Sequence, residues 1–381
     1  MKHVGIITIQ KCNNFGSDLQ AYALQRKVQM LGYDVENIDY LFYKNERHIK
    51  TRMSRPSFHV SLINRIKEFL YPKKQFLLRI FHLKEDRNRR EKFDRFVSDN
   101  FKLSREYRTV DDLYKDPPQY DAYIVGSDEL WNPRCNSTMA PYFLGFAPRG
   151  ARCLSYAAST GGHDEYDEQA QYVFKQHLEC FYRISMREKS SCDYFSKMLG
   201  RTVEHVVDPT LLLTASEWEK VSLPVPVKEP CIVVYDLIPS PQIWAIARRI
   251  ATNTGQKIIR ICGEVGMRRL PDVVQYSEIG PGEFISLISN AACVITNSFH
   301  GTVFAILYQR PFYFVVPSHM TDSGRVGSLL QALGLEERML WEKESNKIQG
   351  LTMINYQEPF RKLAVLRQSS TEFLTQSLLG V

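Results

Sequence analysis

The stretch HVGIITIQKCNNFGSDLQAYALQRKVQMLGYDVENIDY, residues 3–40, decides the fold of this chain. A short apolar run, Val4 to Ile9, leads into a turn-rich segment that contains Gly16. Apolar residues then recur at helical spacing as far as Gly32, and Val35 to Tyr40 again has the composition of a strand. Strand, glycine-containing turn, helix and strand in this order form a βαβ unit, which requires a parallel sheet.

The same alternation continues along the chain in two series. They are separated by residues 222–230, SLPVPVKEP, where three prolines in nine residues are typical of a linker. We therefore predict two α/β domains with a cleft between them, over residues 1–221 and 231–355, and an amphipathic C-terminal helix over 356–381. Further strands are predicted at 123–125, 154–158, 183–186, 205–207, 231–235, 258–261, 293–296 and 312–316.

Length and composition exclude several classes of protein. A chain of 381 residues has room for two or three domains, and 44% hydrophobic with 24% charged residues is average for globular proteins. The apolar runs are shorter than the roughly 18 residues of a membrane-spanning helix, and the first run is too short for a signal peptide. Eight cysteines without a CxxC pair indicate reduced core residues. These features predict a cytoplasmic protein.

The net charge of +7 is concentrated in one segment. Residues 44–95 hold 16 Lys or Arg against 6 Asp or Glu, within a region of about 43–117 that we interpret as a basic helical insertion in the first domain. Residues 57–83 mix aromatic, aliphatic and basic side chains. Two interpretations stay open: peripheral contact with the anionic inner face of a membrane, or an insertion that packs its apolar side on the first domain. Nucleic-acid binding is disfavoured because no recognised module accompanies the charge.

Two junctions in the first half of the chain are candidate binding loops. The segment Asn13–Asp18 joins the first strand to the first helix, where backbone N–H groups attract anions and Gly16 allows close approach. The alternative is an ordinary capped turn. Gly126–Pro133 follows another strand, and acidic residues beside Trp131 could hold sugar hydroxyls; the alternative is a capped turn with a packed Trp.

Three further junctions carry charged or titratable groups. Arg187 ends a strand and could bind a carboxylate or phosphate, and an ion pair with Glu188 or another acid is the competing interpretation. His300, in the segment ITNSFHGT, is a candidate acid, base or phosphate contact, although a lone His is more often structural. Asp208, before Pro209, is more typical of a backbone cap than of a catalyst.

Six segments taken together resemble the polysaccharide pyruvyl transferase family. They are NNFGSDLQAYALQ, YIVGSDELWNP, SYAAST, ISMREKSS, VVDPTLLL and ITNSFHGTVFAILYQRPF, in this order between about residues 4 and 316. The resemblance implies a fold similar to GT-B glycosyltransferases, with two Rossmann-like domains facing across a cleft and a last helix that returns to the first domain. It also implies transfer of pyruvate from phosphoenolpyruvate to two hydroxyls of one sugar, in surface polysaccharide biosynthesis.

The resemblance implies roles for individual residues. Arg187 and His300 match a conserved arginine and histidine of the family, and we assign them as donor clamp and general base. Family members often read Arg-Leu-His where this chain has Ser298-Phe299-His300, so another cation must supply that charge. Its candidates, unranked, are Lys11, Lys189 and Arg325. The remaining predicted substrate-binding residues are Asn14, Gly16, Ser17, Asp18, Asp128, Ser159, Lys189, Asn297, Ser298, Gly301 and Thr302.

The implied partners are phosphoenolpyruvate as donor substrate and a saccharide acceptor, on a polyprenyl diphosphate carrier in one version of the hypothesis. The mechanism needs no cofactor and no metal, and no metal-ligand spacing is visible. Two other functions remain open at this point. A sugar-nucleotide glycosyltransferase would share the fold, and a non-catalytic scaffold in a polysaccharide assembly complex would explain the missing arginine.

Overall fold

The computed structural model describes residues 2–381 with some gaps. The undescribed residues are 43–44, 46, 49–65, 67–69, 71–72, 74–76, 78–79, 133–138, 163–164, 228, 318–323, 342–343, 345–347 and 349. The chain divides into two compact units. The first unit comprises Met1–Phe76, Val97–Leu212 and Leu366–Val381, and the second comprises Leu77–Phe96 and Leu213–Val365.

The first unit is built on a parallel sheet of five strands. They are β1 (His3–Ile7), β2 (Asp34–Tyr40), β3 (Leu103–Tyr107), β4 (Ala122–Val125) and β5 (Arg152–Ser155). Their order across the sheet is β3-β2-β1-β4-β5, and Ile6 lies level with Asn37 on one side and Ile124 on the other. A short second sheet pairs β6 (Ser185–Met186) with β7 (Glu204–His205), also in parallel.

The second unit is built on a parallel sheet of six strands. They are β8 (Ile232–Tyr235), β9 (Ile258–Ile261), β10 (Val273–Tyr276), β11 (Cys293–Thr296), β12 (Phe312–Val316) and β13 (Met339–Trp341). Their order is β10-β9-β8-β11-β12-β13. The inner strands β8, β9, β11 and β12 are buried along their whole length, as expected for strands covered on both faces.

Helices connect the strands in both units. In the first part of the chain they are α1 (Phe15–Met30), α2 (Leu83–Asn100), α3 (Val110–Lys115), α4 (Glu168–Leu178) and α5 (Lys189–Leu199). They continue with α6 (Ala215–Trp218), α7 (Pro241–Thr254), α8 (Pro281–Ser289), α9 (Phe299–Leu307), α10 (Gly324–Leu333) and α11 (Gln357–Leu378). Short 3-10 turns lie at Ala140–Phe143, Pro209–Leu212, Glu219–Val221 and Glu336–Arg338.

The region predicted as a helical insertion, about 43–117, contains a strand of the main sheet. Residues 103–107, LSREY, form the edge strand β3, which pairs with β2. An edge strand is half exposed and carries polar residues, so it lacks the continuous apolar run that marked the inner strands. The insertion is therefore not helical throughout. Its residues Leu77–Phe96 group with the second unit.

The prediction of membrane contact over 57–83 lies largely outside the described residues. Of those described, Ile66, Leu70, Leu77 and Ile80 are helical and about half exposed. In the described part of the chain, no helix is both long and apolar enough to cross a membrane. None of the seven described cysteines is part of a disulfide, and five of them are buried.

The C-terminal helix α11 contributes its last turns to the first unit. Ser370 Oγ accepts a hydrogen bond from the Val207 backbone N–H at 3.0 Å. Near the end of the helix, the carbonyl of Leu378 accepts from Tyr33 Oη at 2.8 Å, and the carbonyl of Leu379 accepts from Arg152 at 2.5 Å. These bonds tie the helix to the segment after β7, to the residue before β2 and to the first residue of β5.

Helix α2 is attached to the second unit through a buried arginine. Arg89 donates to the carbonyl oxygens of Cys262, Gly263 and Ser277 at 3.0 to 3.2 Å, where β9 and β10 end. Burial lowers the pKa of Arg89 to about 10, so the guanidinium stays charged at neutral pH. A charged donor shared by three carbonyls satisfies these groups without water.

Replacing Arg89 by Ala is expected to lower the stability of the second unit by about 2–4 kcal/mol, because buried carbonyls lose their donor. Hydrogen exchange followed by mass spectrometry measures this locally in peptides that contain β9 and β10. The control is Lys92→Ala on the same helix, because the Lys92 side chain is 42% exposed in its ion pair with Glu283. Equal protection in both variants would contradict the assigned role of Arg89.

Candidate functional site

Each unit has one point at which the strand order reverses. In the first unit β2 and β3 lie on one side of β1 while β4 and β5 lie on the other, so the order reverses between β1 and β4. In the second unit the order reverses between β8 and β11. Ligands of open parallel sheets bind there, outside the carboxyl ends of the strands. We call the loops 8–14 and 126–132 the first crevice, and the loops 236–240 and 297–298, with the first turn of α9, the second crevice.

Side chains of the first crevice are linked across its two loops. Asn14 caps α1 by accepting from the Ser17 backbone N–H at 3.2 Å, and Ser17 Oγ donates to Asp128 Oδ2 at 3.3 Å. Asp18 Oδ1 accepts from the backbone N–H of Lys11 at 2.8 Å. Asp128 has a φ of 77°, in the left-handed region that residues with a side chain seldom adopt. Residues in such backbone conformations cluster at functional sites. The structure thus brings four predicted binding residues together, beside Gly16 in the first turn of α1.

Trp131 follows Asp128 and belongs to the core of the first unit. Its side chain is fully buried, and its Nε1 donates to the carbonyl of Tyr142 at 2.9 Å. The packed-Trp interpretation of this loop is therefore the one that the structure supports. Trp131 offers no ring face to a sugar.

Arg187 lies in a buried network of charged groups. Its Nη1 donates to Asp208 Oδ2 at 2.8 Å and its Nε donates to Glu188 Oε1 at 3.1 Å. The residue is only 5% exposed. Glu188 also accepts from Ser159 Oγ at 2.8 Å, so the predicted binding residue Ser159 is part of the same network. The competing interpretation of Arg187, an ion pair with Glu188 or another acid, is what the structure shows.

Asp208 connects this network to the first crevice. Its Oδ2 accepts from Ser127 Oγ at 3.3 Å, and its Oδ1 accepts from the backbone N–H and the hydroxyl of Thr210 at 3.0 and 2.6 Å. Asp208 therefore caps its turn, as the sequence indicates, and also binds Arg187. Burial alone would lower the pKa of Arg187, but the carboxylates of Glu188 and Asp208 outweigh it and hold the pKa above its ordinary value. The guanidinium is permanently charged, and two acids oppose that charge.

The second crevice is formed where β11 turns into α9. Ser298 caps the helix: its Oγ accepts from the Gly301 backbone N–H at 3.3 Å, and its carbonyl accepts from Thr302 Oγ1 at 3.0 Å. A Cβ at Gly301 would lie 2.8 Å from Thr296 Oγ1, so glycine is required for the helix to pack this closely on its strand. The predicted residues Ser298, Gly301 and Thr302 therefore build the turn that carries His300.

His300 lies in the first turn of α9 and is 8% exposed. Its ring is perpendicular to that of Phe299, with centroids 5.2 Å apart. Phe299 also contacts a cation, because the guanidinium carbon of Arg325 lies 5.9 Å from the centroid of its ring. The imidazole of His300 and the guanidinium of Arg325 thus both lie against the ring of Phe299.

The structure distinguishes the three cations proposed to replace the family arginine. Lys11 Nζ contacts Asp39 at 2.6 Å and Glu106 at 3.4 Å, so two acids oppose its charge. Lys189 pairs with Asp193 on an exposed helix surface. Arg325 is the candidate that lies against Phe299, the ring that His300 also contacts.

One family model matches most of the chain, and it is that of the polysaccharide pyruvyl transferases, over residues 14–319. This chain belongs to that family. The matched range begins at the Asn14 cap of the first crevice and includes Arg187 and the whole turn that carries His300. The family is a family of transferases. No curated protein matches the sequence.

Comparison with solved structures supports a GT-B-like fold for this family member. The UDP-GlcNAc 2-epimerase from Neisseria meningitidis, solved with UDP-GlcNAc bound, has a TM-score of 0.50 at 10% identity, with 100% of both chains covered. The UDP-N-acetylglucosamine 2-epimerase from Rickettsia bellii has the same TM-score and identity, with 99% of each chain covered. At this identity the likeness concerns the fold alone.

Two charged pairs near the crevices had not been expected from the sequence. Asp39, the last but one residue of β2, binds Lys11, and burial raises the pKa of Asp39 above its ordinary value. Asp236 follows β8 and binds Arg260 through two hydrogen bonds of 2.9 and 2.8 Å. A signal was present for Asp236, because it directly follows the apolar strand β8. Arg260 within β9 carried none.

Proposed function

We propose that this transferase moves pyruvate from phosphoenolpyruvate onto two hydroxyls of one sugar and forms a cyclic ketal. The observation that carries the proposal is the family match over residues 14–319, which includes the 126–132 loop of the first crevice, Arg187 and the whole second crevice with the turn of His300. The biological setting that we propose is surface polysaccharide biosynthesis. The acceptor in this setting is a saccharide on a polyprenyl diphosphate carrier.

The reaction requires the methylene carbon of phosphoenolpyruvate to gain a proton and the two sugar hydroxyls to lose one proton each. The methylene carbon of phosphoenolpyruvate takes a proton and becomes a methyl group, which leaves an oxocarbenium-like centre on the neighbouring carbon. One sugar hydroxyl attacks that carbon and gives up its proton, which balances the proton gained by the methyl group. Phosphate leaves with the C–O electron pair, and a second hydroxyl closes the ring and gives up its proton, which ends on the departing phosphate. A general base is needed for the hydroxyl, and His300 is our candidate.

The structure changes the role that we propose for Arg187. An arginine held by two carboxylates and 5% exposed is poorly placed to bind a donor with close to three negative charges. We propose that Arg187 is a positioning residue, which fixes Asp208 and through it the Ser127–Asp128 turn. In the first crevice, Asp128 and Asn14 orient the hydroxyls of the acceptor.

Arg325 is our candidate for the donor cation. Arg325→Ala is expected to weaken phosphoenolpyruvate binding by about 10- to 100-fold, because a charge-assisted hydrogen bond contributes roughly 1.5–3 kcal/mol. Isothermal titration with phosphoenolpyruvate measures this. The matched control is Lys189→Ala, since Lys189 is exposed and pairs with Asp193, and it should bind the donor like the wild type. Equal weakening in both variants would refute the assignment.

Ligand-induced stabilisation tests the proposed donor. We expect phosphoenolpyruvate to raise the unfolding temperature, because a ligand that binds only the folded state stabilises it by mass action. UDP-glucose, UDP-galactose and UDP-GlcNAc should have no effect. Stabilisation by nucleotide sugars alone would favour a glycosyltransferase, and the absence of any response would favour a non-catalytic family member.

A further inference from the structure

Asn297 uses its whole side-chain amide to join the two loops of the second crevice. Its Oδ1 accepts from the backbone N–H groups of Leu237 at 2.8 Å and Ile238 at 3.3 Å. Its Nδ2 donates to the carbonyl of Ile238 at 2.6 Å. The residue is 9% exposed. The amide oxygen and nitrogen of Asn297 are thus both hydrogen-bonded to one loop of the protein, although the sequence had predicted a contact with substrate.

The loop that Asn297 binds is also fixed from its other side. Asp236, the first residue after β8, is held by the two hydrogen bonds from Arg260 on β9, and its Oδ2 accepts from Trp244 Nε1 at 3.3 Å. The start of the loop is therefore anchored to β9 independently of Asn297. Because the loop is held in this way, its hydrogen bonds to Asn297 also fix the position of Asn297.

His300 follows Asn297 by three residues, with the helix cap between them. Thr296 Oγ1 donates to the carbonyl of Tyr235 at 2.6 Å and accepts from the Ser298 backbone N–H at 2.9 Å. Thr296 thus holds the end of β11 against the end of β8. Asn297 makes the hydrogen bonds that join this segment to the loop after β8.

We propose that Asn297 is a positioning residue that sets the location of the His300 imidazole by locking the turn between β11 and α9 to the 236–240 loop. In this role Asn297 does not contact the substrate. Its consequence for the rate rests on the proposed function, because it acts through the base. A displacement of the base by about 1 Å can cost roughly 100-fold in rate.

The first test is independent of activity. The chain has nine histidines, and the imidazole signals of His300 in a ¹³C- and ¹⁵N-edited NMR spectrum are identified by their loss in His300→Asn. In Asn297→Ala these signals should shift or broaden, while those of His205 in the first unit stay in place. Unchanged His300 signals would overturn the inference whether or not the protein is a pyruvyl transferase.

The second test is a double-mutant cycle on kcat for ketal formation. Asn297→Ala alone should lower kcat by about 10- to 100-fold with little change in the Kd for phosphoenolpyruvate. In the His300→Asn background the same change should have no further effect, since a positioning residue acts only through the group it positions. Losses that multiply in the double variant would overturn the inference and leave the proposed function standing.

Two further variants keep the tests decisive. Asn290→Ala removes an amide that donates to the carbonyl of Ser286 at 2.9 Å at the end of α8, and it should change neither the His300 signals nor kcat. Asn297→Asp keeps an acceptor for both loop amides and loses the donor to Ile238. It replaces Asn297→Ala if that variant does not fold, and it should change the same signals and the same rate. An equal effect of Asn290→Ala would contradict the inference.

Discussion

Replacing His300 by Asn is expected to lower kcat for ketal formation by about 10²- to 10⁴-fold, the usual cost of removing a general base. Asparagine has a similar shape and keeps a hydrogen-bonding group, but it cannot accept a proton. The Kd for phosphoenolpyruvate should change little, because we assign donor binding to Arg325 and not to His300. Steady-state kinetics together with donor titration separate the two effects.

The fold of this variant should survive, because the turn is held by other groups. Ser298 caps α9, Gly301 packs on Thr296, and Asn297 binds the neighbouring loop. None of these contacts uses the imidazole. The control is His177→Asn in the first unit, where the ring stacks on Phe143, and this variant should keep its turnover. Near-normal turnover of His300→Asn would remove His300 from the chemistry.

The second large effect is expected on stability. Arg187→Met should lower the free energy of unfolding of the first unit by about 3–5 kcal/mol, since it leaves two buried carboxylates without their cation. Hydrogen exchange in peptides covering 152–160 and 183–212 should accelerate by about 10²- to 10⁴-fold, as each factor of ten corresponds to about 1.4 kcal/mol. Peptides of the second unit should exchange as in the wild type.

The control for Arg187 is an exposed ion pair in the same unit. Arg105 pairs with Asp116 at 2.7 Å, with side chains 49% and 78% exposed, and such pairs contribute about 1 kcal/mol or less. Arg105→Met should therefore leave exchange in both peptides nearly unchanged. If Arg187→Met folds with wild-type protection and loses only donor affinity, Arg187 is a direct donor clamp, as the family resemblance implied.

The inner strands could be predicted because burial on both faces gives them a continuous apolar run. The runs at 231–235 and 293–296 correspond to β8 (Ile232–Tyr235) and β11 (Cys293–Thr296) almost residue for residue. The edge strands β3, β10 and β13 were missed. Each has a neighbour on one side only and keeps exposed or half-buried residues, so none has the continuous buried apolar run of the inner strands.

The positions of the candidate loops could also be predicted from the apolar strands that precede them. The hydrogen bonds within these loops could not be predicted. Polar residues directly after an apolar strand lie at the carboxyl edge of a parallel sheet, which located Asp128, Arg187 and His300. Which partner each side chain takes depends on tertiary contacts. Arg187 meets an acid 21 residues away, and Asn297 binds a loop 59 and 60 residues before it. Spacing along the chain carries no information about such pairs.

The central claim is the transfer of pyruvate to a sugar diol, and one measurement addresses it directly. The protein is incubated with phosphoenolpyruvate labelled with carbon-13 at its methylene carbon, and with polyprenyl-diphosphate-linked saccharides or methyl glycosides of galactose, glucose and mannose. Carbon-13 NMR of the purified saccharide should show the label as a ketal methyl group, formed together with one phosphate per sugar and at least about 10²-fold more slowly with His300→Asn. Label that stays in the methylene form with every acceptor would contradict the claim.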